Sequence, residues 1–225
     1  MTDFSTHPIQ QPQLLGITQV SDGWLKKYVM RYRLPDGTEK EYESVSRKDA
    51  AAYEAELRRA PGTPPHTDAV SIIATTDADE ILLIKEFRYP LNAWCVAFPA
   101  GLREGNEPIE TCVERELAEE TGYAPLVRAD GTPMVRALPQ PSYSSNGMTE
   151  ECLTIVRAKV ARTGAQHTEP SEFIEVFPLK ITAIPQFLEH NTLAIGSRCQ
   201  LVLEAYADRI GPGSDQFVES PDASA

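Results

Sequence analysis

Residues 98–123 read FPAGLREGNEPIETCVERELAEETGY, and this stretch decides the fold and most of the chemistry. Its second half is a helix by pattern. Pro108 suits a first helical position and Gly122 the residue just past the end. Ile109, Cys112, Val113 and Leu117 recur at three- and four-residue spacing, which gives the helix one apolar stripe. Glu116, Glu119 and Glu120 stand at i, i+3 and i+4, so three carboxylates share a second face. Like charges at those spacings repel by a few tenths of a kcal/mol per pair (roughly 0.2–0.5). A cation that neutralises them would explain their presence. Carboxylate oxygens are hard ligands, so Mg²⁺ is the natural guest and Mn²⁺ a possible one. Arg115 is placed to orient one of these carboxylates through a bidentate contact. Three glutamates alone would more often be a solvated acidic face. The longer pattern around them argues otherwise.

Outward from this helix, the chain alternates short strands and helices. Upstream, Ala69–Thr75 and Glu80–Phe87 are apolar, β-rich runs joined by a turn. Before them, GITQV, WLKKYVMRYRL and TEKEYESV, with a Pro35-Asp36-Gly37 turn, form a small antiparallel meander. Lys48–Arg59 carries strong helix formers and stops at Pro61-Gly62. Downstream, strands are expected near 134–138, over Cys152–Val160 and over Phe173–Leu179. Helices are expected over Ile181–Glu189 and Leu193–Ala207. The organisation predicted is a flexible arm (1–13), an N-terminal β subdomain with a helical insertion (14–66), a main domain (67–208) and a polar tail (209–225). The fold class is α+β, with α/β/α layering of the main domain.

Composition bounds the partners. The chain has 225 residues and a net charge of −12. Nucleic acid is therefore not expected as a partner, since phosphate binding needs a basic surface. A phosphate-bearing small molecule remains compatible, with a cation bridging acidic protein and anionic ligand. Cys95, Cys112, Cys152 and Cys199 are far apart in sequence with no C-x-x-C pair, and read as free, mostly buried thiols. His7, His66, His167 and His190 form no ligand spacing. No signal peptide and no apolar run of about 18 residues is present, so a cytoplasmic, membrane-free protein is expected.

The spacing of residues 101–123 resembles the signature of the Nudix hydrolases. Gly101, Glu107, Arg115-Glu116, Leu117, Glu119-Glu120, Gly122 and Tyr123 match that box at every fixed position. The flanks resemble the ADP-ribose pyrophosphatase-like branch. Phe98-Pro99-Ala100-Gly101 looks like its lead-in, and Glu86-Phe87-Arg88 like its "QxR" strand end. Pro139 and the loop Ser144–Glu151 look like its proline and "SPG-x-T/S-x-E" loop, and Glu172–Val176 like its "E-x-I-x-V" strand. Ala97, Asn146 and the 48–59 helical segment depart from the pattern.

The resemblance implies an α/β/α Nudix sandwich that hydrolyses ADP-ribose or a related nucleoside diphosphate sugar with Mg²⁺. Another nucleoside diphosphate substrate, or a ligand-sensing domain without catalysis, are the rival readings. It implies Glu116 and Glu120 as chief metal ligands, Glu119 sharing, and the Ala100 carbonyl completing the shell. Arg88 would meet substrate, and Trp24, Tyr28 and Tyr32 could either stack on a nucleobase or belong to the core. Glu107 reads as a loop-holding residue. The general base falls to the later loop, at Glu169 or Glu172 with a lean to Glu172. A homodimer built across the N-terminal sheet is the expected assembly.

Overall fold

The computed structural model describes residues 10–209, and the chain divides into two compact units. The first comprises residues up to Asp68 together with Gln140–Leu153. Its strands β1 (Gln13–Gln19), β2 (Lys26–Arg33) and β3 (Glu39–Ser46) form the expected antiparallel meander. Helix α1 (Ala50–Leu57) begins at Asp49, whose carboxylate accepts from the Ala52 amide at 2.8 Å. The core of this unit is Tyr28, Met30 and Tyr53, with the two tyrosine rings edge-on at 4.9 Å between centroids.

The second unit holds residues 69–139 and 154 onward. Its elements up to the signature helix are β4 (Ala69–Thr75), β5 (Glu80–Arg88), β6 (Ala93–Ala97), β7 (Ala100–Leu102) and α2 (Ile109–Thr121). Short strands β8 (Tyr123–Pro125) and β9 (Val135–Ala137) follow. The chain then gives β10 (Ser142–Tyr143) in the first unit and β11 (Cys152–Arg162), whose first two residues pair with β10. Last come β12 (Ile174–Lys180), α3 (Ile184–His190), β13 (Ala194–Ile195) and α4 (Ser197–Tyr206).

Why β4 and β5 read as unbroken apolar runs is now plain: both faces of the sheet are covered. Val70, Ile72, Ala74 and Leu82 pack with Cys112, Val113 and Leu117 of α2 on one face. Ile73, Ile81 and Leu83 pack with Ile184, Cys199 and Leu203 of α3 and α4 on the other. This is an α/β/α sandwich. Leu117 has no exposed surface, so truncation to alanine should cost about 2–5 kcal/mol.

Several boundaries differ from the sequence reading. Pro108 caps α2 from outside, and Ile109 is its first residue. Residues 193–207 are not one helix. Ala194-Ile195 pair with β6 in parallel, and only then does α4 begin. Residues 140–153 belong with the N-terminal meander: the Val45 amide donates to the Met148 carbonyl, and Ser46 Oγ to the Glu150 carboxylate. All four cysteines are free and buried. The arm and tail fall largely outside the described residues, as does His7; His66, His167 and His190 are exposed.

Candidate active site

The acidic site is built where β7 runs under α2. β7 pairs with β4 through Ala69↔Leu102, Val70↔Gly101 and Ser71↔Ala100. This register carries Ala100 and Gly101 beneath the glutamate face of the helix. A Cβ at Gly101 would overlap the Glu116 carboxylate, so only glycine leaves that group its place. The Ala100 amide donates to Glu120 Oε2 at 3.0 Å. Glu116 and Glu120 are 8% and 7% exposed, while Glu119 is exposed.

Arg115 organises the lower edge. Its guanidinium donates to Glu107 through Nε at 3.1 Å and Nη2 at 3.0 Å, and to the Leu102 carbonyl at 2.8 Å. Nη1 reaches Glu116 Oε1 at 2.7 Å and Glu119 Oε2 at 3.2 Å. The paired guanidinium lowers Glu107 to about 2. Glu107 also accepts from the Glu104 amide, so it fastens the loop before α2 to the helix, as a loop-holding residue would.

The two buried glutamates behave oppositely to Glu107. Burial pushes Glu116 up, against the pull of Arg115. Burial pushes Glu120 well up, with Glu116, Glu86 and Glu172 adding like charge. Desolvated carboxylates crowded by other carboxylates are what a dication stabilises. The donor set of Glu116, Glu119, Glu120 and the Ala100 carbonyl is all hard oxygen and fits Mg²⁺ or Mn²⁺. Among the described residues, no three acidic, thiol or imidazole side chains already close into one coordination shell. Arg115 supplies the positive charge between Glu116 and Glu119.

A second set of acids approaches from β5 and β12. Glu86 is half-buried and raised by that burial, with Arg88 opposing and Glu172 adding. Arg88 lies exposed at the strand end, its Nη2 2.8 Å from Glu86 Oε2. β12 pairs with β5 through Ile174↔Glu86, and the Phe87 amide donates to the Phe173 carbonyl at 3.1 Å. That register brings Glu172 to the same strand end. Glu172 and Glu169 are both exposed and share a tight turn: the Glu172 amide donates to the Glu169 carbonyl, and Glu172 Oε2 accepts from the Glu169 amide at 3.1 Å. Glu86 had no role in the sequence reading. Its signal is its place two residues before Arg88, on the same side of β5.

A family model described as the NUDIX domain matches residues 65–193. The chain belongs to the Nudix family. An ADP-ribose pyrophosphatase of Saccharomyces cerevisiae is 30% identical over 170 residues, covering 72% of this chain and 66% of that protein. An ADP-ribose pyrophosphatase of Bacillus subtilis is 34% identical over 119 residues, covering 52% and 60%. The chain spans about two thirds or less of the length of the curated relatives it matches. A crystal structure of an ADP compounds hydrolase superposes with a TM-score of 0.65 at 18% identity, covering 93% of this chain and all of that one. At that identity the likeness concerns the fold alone.

In the first unit the expected stacking residues separate. Tyr28 has no exposed surface, packs on Tyr53, and donates its hydroxyl to the Lys48 carbonyl at 2.7 Å. A ring with no free face cannot stack on a base, so Tyr28 is corrected to a core residue. Tyr32 is half-buried, and Trp24 is 77% exposed. A cavity of 540 Å³ within this unit is lined by Tyr32, Tyr42, Tyr53, Met30 and Met148 among others.

Proposed function

We propose that the chain is a pyrophosphohydrolase that cleaves the diphosphate of ADP-ribose or a related nucleoside diphosphate sugar. The products would be a nucleoside monophosphate and a sugar phosphate. The observation that supports this best is the pair of buried carboxylates, Glu116 and Glu120, held over Ala100-Gly101 by backbone that admits no larger residue. The names of the yeast and bacterial relatives support the substrate class.

Glu116, Glu119, Glu120 and the Ala100 carbonyl would hold the divalent cation, Mg²⁺ in the cell and Mn²⁺ as a substitute. Bound there, it would neutralise the non-bridging diphosphate oxygens and the charge that develops on the leaving phosphate. Arg115 orients Glu116 and Glu119 and keeps Glu107 tied to the loop before α2. Arg88, exposed at the end of β5, binds a phosphate or the terminal ribose. Glu172 accepts the proton of the attacking water. It is preferred over Glu169 because its charge acts on Glu86, Glu116 and Glu120. The β12–β5 register carries it to the strand end of Glu86 and Arg88.

The protein would work as a cytoplasmic homodimer. Val20, Trp24 and Leu25 at the β1–β2 hairpin are 57%, 77% and 52% exposed, an apolar strip that a second copy would cover. Light scattering at micromolar concentration should return twice the chain mass. A monomer with full activity contradicts the dimer.

The test of function is a panel of ADP-ribose and other nucleoside diphosphate sugars with Mg²⁺, read as phosphate released after phosphatase treatment. ADP-ribose or another diphosphate sugar should lead the panel. No release from any member would favour a ligand-sensing domain.

A further inference from the structure

We propose that Tyr89 is a positioning residue that holds the Glu169–Glu172 turn against the end of β5 through its phenol. This rests on the reading that Glu172 is the base. Residues 163–173 are strung between two fixed places. At one end, the Gly122 carbonyl accepts from the Thr163 and Gly164 amides at 2.9 and 3.1 Å, and the Glu119 carbonyl accepts from the His167 amide at 2.8 Å. The loop thereby starts on the last turn of α2. Gly122 stands at φ +72°, and a Cβ there would lie 2.5 Å from the Gly164 oxygen. At the other end, the Phe87 amide donates to the Phe173 carbonyl.

Between these anchors lie Thr168, Glu169, Pro170, Ser171 and Glu172, and Tyr89 reaches into that span. Its hydroxyl donates to the Ser171 carbonyl at 3.0 Å. The phenol is itself held. Tyr89 opens a short 3₁₀ turn, Tyr89–Leu91, closed by Asn92 in the left-handed conformation, whose amide returns to the Tyr89 carbonyl. Its ring meets Phe87 edge-on at 5.5 Å, and Phe87 meets Trp94 at 5.9 Å. Because Tyr89 is 63% exposed, its hydroxyl contributes little to the core. It grips the peptide directly before Glu172, so its effect should appear in turnover.

The experiment combines Tyr89→Phe, Glu172→Gln and the double variant in the full chain with Mg²⁺. Phenylalanine keeps the ring contact with Phe87 and removes only the hydrogen bond. Tyr89→Phe should lower kcat roughly 2- to 10-fold with KM little changed, the scale of one modest hydrogen bond. In the Glu172→Gln background it should cost nothing further, since both changes act through one group. In the metal-free chain, amide exchange at Glu172 and Phe173 should quicken by a similar roughly 2- to 10-fold. Wild-type turnover in Tyr89→Phe, multiplicative losses in the double variant, or unchanged exchange would overturn the positioning role while leaving Glu172 as the base. Wild-type turnover in Glu172→Gln would remove the base itself, and the proposal with it.

Discussion

The glutamates of α2 and those of the 163–173 loop are held in opposite ways. Glu116 and Glu120 are buried, and each has a defined partner in Arg115 or the Ala100 amide. Glu169 and Glu172 are exposed, and the turn they share is fastened by backbone bonds and one tyrosine. On the proposed reading, the groups that would hold a cation sit on a helix clamped by a guanidinium. On the same reading, the group that would accept a proton sits where water reaches it and the chain can adjust. Metal-bound carboxylates are also poor bases, because the cation lowers their affinity for protons.

The largest effect is expected at the loop. Glu172→Gln should lower kcat by about 10²–10⁴ with KM little changed, while Glu169→Gln should stay closer to wild type. The reverse order, in steady-state kinetics of both variants, would exchange their roles. On the helix, Glu120→Gln should lower kcat by at least ~100-fold even at saturating Mg²⁺, the scale of losing one key electrostatic group. Near-normal turnover would remove Glu120 from the ion's shell.

What was legible in the sequence divides along the same line. The helix, its apolar stripe and its acidic face depend on spacings of three and four residues, and these survive into α2 almost unchanged. The three-stranded meander was legible for a similar local reason. The β6 and β7 strands were not, because each is short and Pro99 separates them. Ala194-Ile195 looked helical because Leu193–Ala207 is locally consistent with a helix. Its pairing with Cys95 and Val96 is a tertiary demand that no window of sequence contains. The return of residues 140–153 to the first unit is long-range in the same sense. Residue type leaves Tyr28 open between core and pocket, and only its burial decides that the ring has no free face.

Smaller effects are expected where the loop joins α2. Gly122→Ala should cost roughly 1–3 kcal/mol, from a non-glycine residue at positive φ and overlap with the Gly164 carbonyl. Thermal unfolding should show a Tm lower by several degrees; an unchanged Tm would mean that the α2–loop junction tolerates a side chain. Glu107→Gln probes the clamp itself. Because Arg115 lowers Glu107 from 4.5 to about 2, its stabilisation is complete above 4.5 and is lost as pH falls toward 2. Wild type should lose stability across that window, and Glu107→Gln should be less stable at neutral pH with a flatter acid limb. Parallel acid-unfolding curves would contradict the pairing.

The central claim is that the α2 carboxylates make a divalent-cation site for diphosphate hydrolysis. The most direct measurement strips the protein with EDTA, presents ADP-ribose, and follows AMP and ribose 5-phosphate as Mg²⁺ is restored. No products are expected in the stripped protein and both products in equal amounts once Mg²⁺ returns, with Glu120→Gln remaining nearly silent. Hydrolysis at the same rate with and without the cation, or none under either condition from ADP-ribose or any other nucleoside diphosphate sugar, would contradict the claim.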